Sequence, residues 1–144
     1  MGKSRNLKKY PDFVTFYLPV LIWMALIFTL SSIPGSTLKD IEFPYAHPIA
    51  HSMLYGVLYY LSFRALSHHR LGQMRTSFSL AASFLIVALY GMSDEFHQSF
   101  VPGRTEELKD FIIDLSAALV VMIGVIVSRK FWKRSRAQDS HQAG

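Results

Sequence analysis

The chain has no cysteine, which excludes a disulfide framework, a thiolate metal site and a cysteine nucleophile. It is also poor in charge. Asp, Glu, Lys and Arg make up 17% of residues, where a soluble domain carries about 25%. No Gly-rich phosphate loop is present, which argues against ATP chemistry, and no HExxH metal motif occurs. Acids are scarcer than bases, 10 against 15, leaving a formal charge of +5. What the chain has in quantity is apolar surface, at 51% of residues, which excludes intrinsic disorder. Its 144 residues suit a single domain.

That apolar content is gathered into four runs, at about residues 13–30, 48–66, 77–93 and 111–127. A membrane-spanning helix needs roughly 20 residues, so each run, with its flanks, is long enough. A soluble bundle is the competing reading, but a chain of this size cannot bury four helices that are apolar on every side. The expected fold is therefore all-α: one polytopic domain, a bundle of four transmembrane helices. No internal repeat or low-complexity stretch is evident. The basic start followed by an apolar run resembles a signal peptide. Its length, and the lack of a small-x-small site in SSIPGS, favour an uncleaved first span.

The order of the charges gives the expected orientation. Lys3, Arg5, Lys8 and Lys9 precede the first run, and Arg64, Arg70 and Arg75 flank the turn between the second and third. Arg129, Lys130, Lys133, Arg134 and Arg136 open a basic tail at 129–144. Only Lys39, Arg104 and Lys109 fall in the other two loops. The positive-inside rule then places both termini and the middle turn on the cytoplasmic side of the membrane. Because the bases are juxtamembrane clusters, nucleic-acid binding is not indicated.

The acids lie at the opposite face. All but Asp12 and Asp139 are at the outer ends of runs or in the outer loops. Helical spacing aligns them with polar neighbours. His51 and Tyr55 are four apart, as are Asp94 and Gln98, and Asp110 and Asp114, while Asp94 and His97 are three apart. A turn signal, Pro102-Gly103, would bring Arg104 back over this cluster. An acid at mid-membrane costs about 2.5 to 3.5 kcal/mol on insertion scales, and an ionisable residue there is a functional-site candidate by default. Asp94 and Asp114 lie nearer the surface but still need partners, for which Arg104, His51 and His97 are the nearest. Asp110 fits a helix N-terminus equally well. Asp40, Glu42, Glu106 and Glu107 read as solvated loop charges. A carboxylate at the C-terminal end of a helix opposes the dipole, so the DEFHQ run reads as more than a cap.

These residues offer several chemistries. His51, Asp94, Glu95, His97 and Asp114 are nitrogen and oxygen ligand types for a metal, in no recognised motif. A His–Asp pair suits general acid–base work. Arg104 suits bidentate binding of a phosphate or carboxylate.

The stretches AHSMLYGVLYYLSF and ALYGMSDEFHQSFVPGRTEELKDFIIDLSAAL resemble the VanZ-like family, from about His47 to Gly124. These are small bacterial integral membrane proteins named after an accessory factor in teicoplanin resistance. The resemblance maps the family's motif onto His51, Tyr55, Asp94, Glu95, His97, Gln98, Pro102, Gly103, Arg104, Asp110 and Asp114. The last position often carries Asn in relatives, and SAALV lacks the glycine that often follows there. The resemblance implies a bacterial plasma-membrane protein with a cell-envelope role on the outer side of that membrane.

Two expectations follow from these residues together with the resemblance. In the first, an outer-face polar pocket of His51, Tyr55, Gln98, Arg104, Asp110 and Asp114 binds an anionic lipid, a lipid-linked cell-wall component or a glycopeptide antibiotic, contributing to teicoplanin resistance. In the second, Asp94, Glu95 and His97 are catalytic in a metal-assisted or His–Asp hydrolase or transferase acting on a phospholipid or polyprenyl-phosphate. A transporter ranks last, because the polar groups gather at one end. The sequence specifies no cofactor and leaves homo-oligomerisation open.

Overall fold

A computed structural model describes residues 12–38, 46–68, 76–104 and 108–142, and among them there are helices and turns but no strand. A π-helical turn, Phe13–Tyr17, leads into α1, Leu18–Ser31. A single turn, α2, Gly35–Leu38, follows. The remaining helices are α3, Ala46–Ser67, α4, Thr76–Gln98, and α5, Leu108–Gln142.

Each boundary differs from its apolar run for a physical reason. Pro19 has no N–H to return to the carbonyl of Thr15, which disturbs the helix just before it. Arg64, at the end of α3, donates to that carbonyl at 2.9 Å and lies over the Phe16 ring. α4 continues past its apolar part through DEFHQ, because Asp94 and Gln98 on this last turn are buried against neighbouring helices. α5 continues through the basic segment to Gln142, with Arg129 over Phe63 and Arg136 over Trp132.

Among the described residues, three helical segments are long and apolar enough to cross a membrane: Phe13–Ser31, Thr76–Gln98 and Leu108–Arg136. The 22-residue α3 falls short on apolarity, with His51, Ser52, Ser62 and Arg64 diluting it. The reason is its position. α3 packs against α1, α4 and α5, and four of the seven core side chains (Tyr55, Leu58, Tyr59 and Phe63) belong to it. A helix enclosed by others has less need of an apolar outer face. Trp23 of α1 donates to the Leu54 carbonyl of α3 at 2.8 Å, and Tyr90 of α4 to the Met24 carbonyl.

Apolar side chains also line the outside of the bundle: Leu21 and Ile22 on α1, Leu85, Leu89 and Met92 on α4, and Val120 and Ile123 on α5 are all exposed. The interior holds Ser31, His51, Ser62, Ser79, Ser83, Asp94, Gln98, Asp110 and Asp114. Apolar surface outside and polar groups within is the arrangement that lipid demands. Ser79 and Ser83 let α4 approach its neighbours closely, as small residues do between membrane helices.

Candidate functional site

The ends of α1 and α4 meet the beginnings of α3 and α5, and the polar interior is densest there. Two buried networks and a rim make up the cluster.

The first network centres on Asp94, which is 4% exposed. Its Oδ2 accepts hydrogen bonds from Ser31 Oγ of α1 at 2.9 Å, Tyr55 Oη of α3 at 2.9 Å and Gln98 Nε2 of its own helix at 3.0 Å. Three donors on one oxygen satisfy a carboxylate that water does not reach. The knot ties α1, α3 and α4 together.

The second network joins α3 to α5. His51 Nδ1 lies 3.0 Å from Asp114 Oδ1, with Asp114 fully buried. The His51 ring stacks towards Tyr55, its i+4 neighbour, with centroids 5.9 Å apart. The other Asp114 oxygen, Oδ2, has no hydrogen-bond partner. It faces α4 at Gly91, where a β-carbon would stand 3.5 Å away.

The rim lies one turn earlier on both helices. His47 Nδ1 is 3.5 Å from Asp110 Oδ1, and Arg104 Nη1 donates to His47 Nε2 at 3.0 Å. Arg104 Nε donates to the Ile33 carbonyl at 3.3 Å. Among the described residues no carboxylate lies within ion-pair distance of Arg104. Asp110 is in the first turn of α5, where the helix dipole favours an acid. It is also buried, unlike an ordinary surface cap.

A turn sets the position of Arg104. Its N–H bonds the Val101 carbonyl at 3.1 Å, with Pro102 and Gly103 between and Gly103 at φ +75°. This is the pattern of a type II turn, whose third residue needs positive φ and so favours glycine. The turn docks on α2, where Gly35 N–H bonds the Pro102 carbonyl at 3.1 Å. A β-carbon on Gly35 would fall on the Gly103 carbonyl.

The predicted residues therefore separate into groups. Tyr55 and Gln98 serve Asp94, whose partners include none of the expected basic side chains. His51 serves Asp114, and Arg104 reaches Asp110 only through His47. Glu95 is half-buried on α4. His97 stands apart from Asp94, with Nε2 3.0 Å from Ser32 Oγ and its ring 4.4 Å from that of Phe28. Asp40, Glu42, Glu106 and Glu107 lie outside the described residues. Ser31, Ser32 and His47 complete the cluster and were not singled out in the sequence. The available signal for His47 is its spacing, four residues before His51.

Among the described residues, two triads bring possible metal-ligand atoms within 4.8 Å of one another: His51, Glu95 and Asp114, and His47, His51 and Asp110. Chemically the cluster offers at its edge an arginine with no described carboxylate in ion-pair reach, and a buried imidazole–carboxylate pair beneath. No curated protein and no solved structure gives a significant match to the chain. The sequence profile of VanZ/LLP1 does match, over residues 16–129, which spans α1 to most of α5 and includes every residue of the cluster. The chain belongs to the VanZ/LLP1 family.

Proposed function

We propose that the protein crosses the bacterial plasma membrane four times, with both termini cytoplasmic, and binds an anionic envelope component at the polar cluster on its outer face. The packing supports the four-span reading. α1 and α4 both end at the cluster, so the segment joining them, which includes α3, must return through the bundle. Tyr59, late in α3, reaches the Leu80 carbonyl near the start of α4, and Arg64 reaches Thr15 before α1. The described bases Arg64, Arg129, Lys130 and Lys133 then flank the far end, as the positive-inside rule requires of a cytoplasmic face.

The observation that carries the binding reading is Arg104, held by a tight turn, hydrogen-bonded only to neutral acceptors and paired with no described carboxylate. A guanidinium in that setting keeps donors for a phosphate or carboxylate at headgroup depth. The ligand is an anionic lipid, a lipid-linked cell-wall precursor or a glycopeptide antibiotic, and teicoplanin resistance would follow from capture of the last. The test is native mass spectrometry of the protein with phosphatidic acid, a polyprenyl phosphate, teicoplanin or phosphatidylcholine. At least one anionic ligand should be retained about 10-fold over phosphatidylcholine, and Arg104→Ala should abolish that preference. Equal retention by wild type and Arg104→Ala would refute the reading.

The buried His51–Asp114 pair favours a second reading, a hydrolase or transferase acting on a phospholipid or polyprenyl-phosphate. A carboxylate 3.0 Å from an imidazole nitrogen orients it for proton transfer. Release of phosphate or headgroup by the protein in lipid vesicles, lost in His51→Gln, would support it. No turnover across lipid classes would dismiss it.

A further inference from the structure

His51 of α3, Glu95 of α4 and Asp114 of α5 come from three different helices, yet each offers a ligand atom within 4.8 Å of the other two. A tetrahedral ion with bonds of about 2.1 Å holds its ligands about 3.4 Å apart, so small side-chain movements would close the set. His51 Nδ1 and Asp114 Oδ1, at 3.0 Å, already stand near that separation.

Hydrogen bonding leaves this spot incomplete. Asp114 is fully buried, and its Oδ2 has no hydrogen-bond partner. That bare oxygen is turned towards α4 at Gly91, and Glu95 follows Gly91 by one helical turn on the same side of α4. The contrast with Asp94 of α4 is informative, since its carboxylate collects three donors from the protein. A buried acceptor without a donor is costly and calls for a partner.

We propose that His51, Glu95 and Asp114 form a binding site for one divalent transition-metal ion of the Zn2+ or Mn2+ class. One imidazole with two carboxylates selects these over Mg2+ or Ca2+, which prefer all-oxygen sites. The ion supplies the partner that Asp114 Oδ2 lacks and takes the place of the proton between His51 and Asp114. Three protein ligands leave a coordination position open, as in sites where an ion meets water or a ligand. The second triad, His47–His51–Asp110, is the weaker choice. His47 is exposed and already held by Arg104, and both its partners on the rim are accounted for without an ion. The site does not depend on the anion reading, because Arg104 is not among its ligands.

The test uses the full chain, purified in detergent with any affinity tag removed and titrated with Zn2+, Mn2+ and Mg2+. Elemental analysis after gel filtration gives the stoichiometry, and Co2+ provides a visible ligand-field spectrum. Wild type should retain one Zn2+ or Mn2+ per chain and prefer it to Mg2+. Glu95→Gln and Asp114→Asn should each weaken binding about 100-fold or more and lose the Co2+ band, whereas Asp110→Asn should retain both. Glu95 is only half-buried, so Glu95→Gln carries the test if Asp114→Asn does not fold. Absence of a stoichiometric ion in wild type would overturn the proposal. So would loss of the ion in Asp110→Asn with Glu95→Gln unaffected, which would move it to the outer triad.

Discussion

Replacing Asp94 by alanine separates a structural role for this carboxylate from a catalytic one. Its Oδ2 accepts from Ser31, Tyr55 and Gln98, and all three donors are buried. When the acceptor is removed, each stranded donor costs about 1–3 kcal/mol. Ser31 can escape, because a helical serine hydroxyl can turn to a carbonyl in the preceding turn, as Ser32 does to Phe28 at 2.7 Å. Tyr55 and Gln98, at 0% and 1% exposure, have no such outlet. Two stranded donors make Asp94→Ala cost about 3 kcal/mol. Tyr55→Phe removes one donor and leaves two on the carboxylate, at a cost of about 1 kcal/mol. Combining the two should cost no more than Asp94→Ala alone, because the phenol has then lost nothing further. The assay is reversible unfolding in mixed micelles at rising SDS fraction, followed by the fluorescence of Trp23, which packs against α3. Wild-type stability in Asp94→Ala, or additive losses in the double variant, would refute the reasoning.

Other perturbations probe the turn, the core and the topology. Gly35→Ala places a methyl on the Gly103 carbonyl and should destabilise the protein. Gly124→Ala meets nothing within 4 Å and should be neutral or gain about 0.5–1 kcal/mol from helix propensity; the same unfolding assay ranks them. Leu58→Ala, at a fully buried position of α3, should cost about 3 kcal/mol, and Leu85→Ala, on the exposed side of α4, less than about 0.5 kcal/mol by that assay. Because the chain has no cysteine, Ser99→Cys and Gln138→Cys can each carry a single thiol. A membrane-impermeant maleimide should label Ser99→Cys in intact cells and Gln138→Cys only after permeabilisation. The reverse pattern would invert the topology.

The sequence made the helices legible because apolar runs of this length have few alternatives. It also exposed half of each network, through the i,i+4 pairs His51 and Tyr55, Asp94 and Gln98, and Asp110 and Asp114. Which helices these pairs would face was not legible. Ser31 looks like a polar residue ending an apolar run, and nothing local shows that it meets Asp94 across 63 positions of chain. His47 precedes its run and so sits outside any hydropathy window, although it bridges Arg104 and Asp110. Hydropathy likewise undervalues α3, whose polar residues reflect enclosure by other helices. The ends of α4 and α5 were hidden for the opposite reason. Charge closes an apolar run, but a helix continues wherever its backbone and packing permit.

The most direct measurement of the central claim is an experimental structure of the full chain with a short-chain phosphatidic acid bound. The phosphate should lie against Arg104, with N–H···O distances of about 2.7–2.9 Å, beside His47 and at the same end of the bundle as Asp114. A phosphate held only at the other end, among Arg129, Lys133 and Arg136, with Arg104 untouched, would contradict it.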